Sequence, residues 1–159
     1  MARTCGHTPR REHTVARFSS LGEHAALWLA IGAAGTLLDE PRRPAWQAAL
    51  CAVAGTYVLN TAVKLAVRRK RPRLDGLPPL SATPTQLSFP SAHSSTAVAA
   101  ALLYGRLVAP AWPFWVLAAT LSYSRLYLGV HYPSDVLGGA ALGAVVGLAS
   151  RRALYERDT

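Results

Sequence analysis

The chain has 159 residues, 51% of them hydrophobic and only 16% charged, with a formal net charge of +9. Soluble domains carry about a quarter charged residues, and the amphipathic helices of a soluble protein of this size would need charged outer faces that are missing here. Nucleic acid is excluded as the partner of the positive charge, because Arg and Lys cluster in the N-terminal segment and in loops beside apolar runs, with no nucleic-acid motif.

In chain order, residues 1–20 form a basic N-terminal tail, disordered or lying at a membrane interface. The tail has no apolar core of its own and is not a cleavable signal peptide. Residues 21–154 form one domain, and 155–159 are a C-terminal tail. Four runs lack ionisable residues: Ala25–Leu38, Ala45–Val63, Ser94–Tyr104 and Val136–Ser150. A helix crossing the hydrocarbon core needs about 20 apolar residues, which these runs approach once snorkelling flanks are included. Five membrane-spanning helices are expected, at roughly 24–39, 46–67, 92–109, 112–128 and 134–153. The fourth is short and contains Pro113. The fold class is therefore all-α, a polytopic membrane helical bundle.

Trp28, Trp46, Trp112, Trp115 and Tyr155 fall near span ends, where interfacial aromatics gather. Gly139, Gly143 and Gly147 repeat every fourth residue in the last span, a stripe that lets another helix approach closely. Cys5 and Cys51 make neither a disulfide framework nor a metal spacing, and Cys51 reads as a small packing residue.

Three polar strings border these spans: Lys64-(six residues)-Arg71-Pro72, then Pro90-Ser91-Ala92-His93, then Ser124-Arg125-(five residues)-His131-(three residues)-Asp135. They supply three cations, a hydroxyl, two imidazoles and a carboxylate, an inventory for holding a phosphoryl group, attacking it and protonating what leaves. Pro133 suits a first helical turn, which puts Asp135 where it can orient His131 and raise the basicity of its other nitrogen. Ser91 and the N–H groups opening the third span form an anion site. Arg suits bidentate phosphate recognition and Lys point-charge contact. Singly, each has a plainer reading: Asp135 and Ser91 as helix caps, His93 as an interfacial polar residue, Lys64 as a snorkelling side chain, Arg71 as part of a positive-inside cluster. With five spans, however, the loop joining spans two and three and the loop joining spans four and five share one side of the membrane, so the strings can meet.

Their order and spacing resemble the type 2 phosphatidic acid phosphatase (PAP2) superfamily, whose motifs are K-x6-RP, PSGH and SR-x5-H-x3-D. The match is complete except for Ala92, where glycine is usual, and the likeness covers about residues 20–153. The resemblance implies a helical membrane core shared with vanadium haloperoxidases and metal-independent phosphatase chemistry without a cofactor, through a phosphohistidine. By motif position His131 would be the nucleophile, Asp135 its orienting partner and His93 the general acid. Lys64, Arg71, Ser91, Ala92 and Arg125 would bind the phosphate. The superfamily commonly has six spans, against five counted here, and alanine at position 92 would be strained if that position needs a positive φ.

A lipid phosphate is the expected substrate and membrane lipids the expected surroundings. The string from Phe18 to Trp28 resembles small actinobacterial members acting on decaprenylphosphoryl-5-phosphoribose in arabinan precursor synthesis. Polyprenyl diphosphate, phosphatidylglycerophosphate and phosphatidic acid are alternatives, and Glu23 and His24 read more plainly as interfacial polar residues. A soluble haloperoxidase is disfavoured by the apolar spans; a non-catalytic anionic-lipid-binding protein would leave both histidines and Asp135 unexplained. Outside the motif cations, eight basic residues fall on the site side (Arg3, Arg10, Arg11, Arg17, Arg68, Arg69, Lys70, Arg73) and six on the other (Arg42, Arg43, Arg106, Arg151, Arg152, Arg157). That bias points to a site at the cytoplasmic face of a bacterial plasma membrane.

Overall fold

A computed structural model describes residues 6–73 and 79–155, with side chains as far as Arg152. Arg3, Cys5, Arg157 and the C-terminal tail beyond residue 155 lie outside the described residues. Among the described residues six α-helices follow one another: α1 (Pro9–Ser20), α2 (Ala26–Leu38), α3 (Arg43–Val67), α4 (Ala92–Leu107), α5 (Trp112–Tyr127) and α6 (Pro133–Tyr155). Among the described residues there is no strand, only an isolated antiparallel bridge between Lys70 and Leu87. The last five helices fall where the apolar runs placed spans. The segment expected to be a tail is helical, started by Pro9 in the first turn and by Thr8, whose hydroxyl accepts the Arg11 N–H at 3.3 Å.

Proline explains several helix starts. Pro44, Pro113 and Pro133 stand in first turns, where a missing N–H costs nothing. Pro113 therefore begins α5 rather than breaking it. α3 ends where Arg68 turns left-handed (φ 55°) and its N–H closes on the Lys64 carbonyl at 3.0 Å.

α4 forms the centre, packed by α3, α5 and α6 and buried along most of its length. Its contact with α6 uses the glycine stripe: a Cβ on Gly139 or Gly143 would run into the carbonyl oxygens of Ser91 and Ser95. The outer surface is apolar, with Leu38 85%, Leu37 74%, Leu137 69% and Val145 67% exposed, as a lipid-facing surface requires. Glu40–Val67 and Pro133–Arg152 are long and apolar enough to cross a membrane. Pro9–Ser20 with Glu23–Leu38, bent by 47°, would make a third crossing if it acts as one span. At 1.5 Å per residue, α4 and α5 reach about 24 Å, short of a hydrocarbon core of about 30 Å. The five predicted helices thus include two that meet the length and hydropathy of a span on their own.

Three expectations change. Trp28 and Trp46 are core residues rather than interfacial ones, 0% and 3% exposed, with the Tyr104 hydroxyl donating to the Trp28 carbonyl at 3.1 Å. Trp112 and Trp115 are exposed as an interfacial position requires. Cys51 faces outward rather than packing inside.

Candidate active site

The residues of the three strings lie at helix ends, and the bundle brings those ends together. Lys64 closes α3, Ala92 and His93 open α4, Arg125 lies in the last turn of α5, and His131 stands two residues before α6. Lys64, Arg71, Ala92, His93, Arg125 and His131 line one cavity of about 110 Å³. By this measure a single water needs about 10–15 Å³, so the space holds several waters or a small polyatomic anion. Ser91 and Asp135 stand behind this lining.

Asp135 is fully buried and supports His131 from the first turn of α6. Its Oδ2 accepts the Tyr132 N–H at 2.8 Å and lies 3.5 Å from His131 Nδ1, the long limit of a hydrogen bond. Its Oδ1 is held by Arg69 at 3.0 Å, and Arg69 also donates to the Ser134 hydroxyl at 2.7 Å and covers the Tyr132 ring at 4.1 Å. Arg71 Nη1 donates to the Val130 carbonyl at 2.7 Å and lies 3.3 Å from His131 Nε2. A guanidinium only donates, so Nε2 presents its lone pair and the imidazole proton belongs on Nδ1, toward Asp135.

Electrostatics favour the neutral ring. Burial pushes His131 down to about 4; the Asp135 hydrogen bond opposes this, while Arg71, Arg125 and Lys64 add to it. Burial also lowers Arg71, with Asp135 offsetting part of the effect. Asp135 is engaged with Arg69, and among the described residues Glu23 is the one carboxylate in the cavity wall beside the three lining cations.

His93 Nε2 contacts the Ser19 carbonyl at 3.0 Å, and because a carbonyl only accepts, this nitrogen carries a proton. The Ser19 hydroxyl accepts from Arg125 Nη1 at 2.6 Å and from the Ser124 hydroxyl at 2.9 Å. The end of α1 therefore holds both an imidazole and a cation of the site. Arg125 Nε and the Ser91 hydroxyl are buried without a hydrogen-bond partner, and His131 Nδ1 has only the long 3.5 Å contact with Asp135. Ser91 does not cap α4 through its side chain, which removes the plainer reading of that residue. Ala92 opens α4 in helical conformation and is not among the residues of positive φ, so alanine there carries no backbone strain.

The α3–α4 loop is pinned to the cavity by backbone pairing: Ser88 N–H to the Arg69 carbonyl at 2.8 Å and Arg71 N–H to the Gln86 carbonyl at 3.2 Å. Arg71 Nε then reaches the Thr85 carbonyl at 2.8 Å, and Lys64 Nζ the Leu87 carbonyl at 3.4 Å. The motifs gave no sign of Ser19, Arg69, Tyr57 or Thr61. Glu23 and His24, part of the Phe18–Trp28 string and more plainly read as interfacial polar residues, line the cavity.

An apolar bundle of helices with an oxyanion-sized cavity, walled by three cations and two imidazoles at one end, defines a class of helical membrane proteins with a basic site among their helix ends. The chain belongs to the PAP2 superfamily, whose profile matches residues 45–158. The decaprenylphosphoryl-5-phosphoribose phosphatase of Mycobacterium tuberculosis is 44% identical over 137 residues, covering 84% of this chain and 75% of that protein. Among solved structures, Aquifex aeolicus LpxE superposes with a TM-score of 0.80 at 23% identity, covering 95% of this chain and 90% of the other, a likeness of fold. A transmembrane PAP2 type phosphatidylglycerolphosphate phosphatase from Bacillus subtilis gives 0.78 at 25% identity, covering 94% and 79%.

Proposed function

We propose that this chain is a membrane-embedded lipid phosphatase that hydrolyses the phosphomonoester of decaprenylphosphoryl-5-phosphoribose, or of a closely similar polyprenyl phosphosugar. The observation that carries the reading is the gathering of Lys64, Arg71 and Arg125 with His93 and His131 around one small cavity. The relative from Mycobacterium tuberculosis supports the substrate. In this reading the cations and the Ser91 hydroxyl bind the phosphoryl oxygens, with the N–H groups of Ala92 and His93 at the α4 N-terminus. His131 Nε2 attacks phosphorus in line, forming the P–N bond as the ester P–O bond breaks. His93 acts as the imidazolium, a form that the negative charge of the bound phosphate favours: its Nδ1 proton goes to the leaving oxygen, its Nε2–H stays on the Ser19 carbonyl, and the neutral ring remains. In the second half His93 takes a proton from water, whose oxygen attacks phosphorus; the P–N bond breaks and inorganic phosphate leaves. Positioning and electrostatic stabilisation supply most of the rate.

The active site is proposed to lie at the cytoplasmic face of the plasma membrane, supported by the excess of basic residues on its side.

Phosphate release by the purified protein in detergent, with EDTA present, tests the reading. We expect release from decaprenylphosphoryl-5-phosphoribose ahead of undecaprenyl diphosphate, phosphatidic acid and phosphatidylglycerol phosphate. His131→Ala should abolish it, and unchanged release in that variant would rule out a phosphohistidine on His131.

A further inference from the structure

The cavity has a second polar wall whose residues lie outside the three motifs. Glu23, His24, Tyr57, Thr61 and Thr85 line it beside the phosphate-binding group. Among the described residues, Glu23 is the one acidic side chain in that lining. Placed next to three cations, a carboxylate weakens the site for a bare phosphate and opposes a second phosphate outright, so a site meant only for phosphates would do better without it. It is, however, a strong acceptor for hydroxyl groups.

The backbone that presents it is fixed rather than loose. His24 and Ala25 both adopt left-handed conformations (φ 52° and 60°), although neither is glycine. Such geometry persists only where surroundings enforce it, and here they do. Gly22 lies so close to His93 that a Cβ would come within 2.6 Å of its ring, and Ala25 is 1% exposed. His24 Nδ1 and the Tyr57 hydroxyl share a hydrogen bond of 2.7 Å, tying this break between α1 and α2 to α3.

Building on the phosphatase reading, we infer that Glu23 and the His24–Tyr57 pair form a hydroxyl-reading subsite beside the phosphate cradle. It selects a phosphomonoester borne on a polyhydroxylated headgroup and disfavours diphosphates. The ligand chemistry, a sugar phosphate, could arrive on a lipid or free in solution.

The test compares kcat/KM ratios in wild type, Glu23→Ala, Glu23→Gln and the conservative Tyr57→Phe, each purified in detergent. The substrates are decaprenylphosphoryl-5-phosphoribose, phosphatidic acid, undecaprenyl diphosphate and ribose 5-phosphate. We expect the ratio of phosphoribosyl lipid to phosphatidic acid to fall about tenfold or more in Glu23→Ala and about threefold or more in Tyr57→Phe. The ratio of diphosphate to phosphatidic acid should rise in Glu23→Gln, where only the charge is lost. Ribose 5-phosphate separates the sources: turnover matching the lipid's supports a soluble ligand, and slow turnover that still drops in Glu23→Ala supports a lipid-borne one. Ratios that stay within about twofold in every variant, or all substrates losing rate by one common factor, would overturn the subsite while leaving the phosphatase reading intact. Absence of release from any lipid by the wild type, or release that survives His131→Ala, would remove the phosphatase reading and the subsite with it.

Discussion

His131 stands between a carboxylate on one ring nitrogen and guanidinium charge on the other, and burial, aided by the cations, outweighs the carboxylate. Its unfolded value is near 6.5, while in the fold it is pushed down to about 4, burial being the largest cause. A base whose folded value is depressed loses stability on acidification. The contribution of this ring is complete above about 6.5 and is lost as pH falls toward about 4. In ¹⁵N NMR of phosphate-free protein, His131 should therefore remain neutral at pH 6, and added inorganic phosphate should raise its midpoint by offsetting Arg71, Arg125 and Lys64. A protonated ring at pH 6 without phosphate would contradict the arrangement. Asp135→Asn should lower kcat by about 10²- to 10⁴-fold, because an orienting carboxylate sets the tautomer of its histidine. Arg69 acts through Asp135, so Arg69→Ala should cost less by itself and add little to Asp135→Asn in a double-mutant cycle. Fully additive losses would show that Arg69 acts elsewhere.

At the level of helices, the contact between α4 and α6 depends on the absence of two side chains. Gly143→Ala would drive a methyl group into the Ser95 carbonyl, which is backbone and cannot rotate away. A loss of about 1–3 kcal/mol is expected, as for overpacking elsewhere, visible as a lower unfolding temperature in detergent. An unchanged temperature would mean that the helices separate without cost. The stripe itself was legible in the sequence, because spacing by four places residues on one helical face, although the partner helix was not. The motif residues were legible for a related reason: they terminate apolar runs, and the bundle brings those ends together, although the five-crossing parity used to expect this rests on α4 and α5, which fall short of the hydrocarbon core. Ser19 was not, because its role depends on how α1 meets α4 and α5, which no local pattern records. Arg69 was hidden in a run of four basic residues whose membership in a positive cluster explained it sufficiently. Trp28 reads as interfacial because it stands in the first turn of α2, but it belongs to the core cluster against which Phe18 of α1 packs, a contact no local pattern records.

Across the whole molecule, the site occupies one end of the bundle and the Asp39–Arg43 turn and the α4–α5 loop the other. Arg42 fastens that far end, pairing with Asp39 at 2.7 Å and donating to the Leu107 carbonyl. Orientation in the membrane can be read from Ala82, an exposed position in the site-side loop. In a chain carrying Cys5→Ser, Cys51→Ser and Ala82→Cys, a membrane-impermeant maleimide should label only permeabilised cells. Labelling of intact cells would put the site on the outer face and rule out a substrate drawn from the cytoplasmic leaflet. The same experiment with wild-type Cys51 examines the outer apolar wall, since a thiol facing hydrocarbon should resist the reagent on either side.

The glycine contact also works as a gauge. Gly139 rests on the Ser91 carbonyl, and the Ser91 N–H donates to the Asp135 carbonyl at 2.9 Å, so the two helices are clamped within a turn of both histidines. His93 rides on one jaw, and His131 precedes the other. Their separation, which the proposed reaction has to span, is thereby set by backbone touching backbone rather than by adjustable side chains. A single methyl group at position 139 would widen that opening, and turnover would suffer well before the fold did.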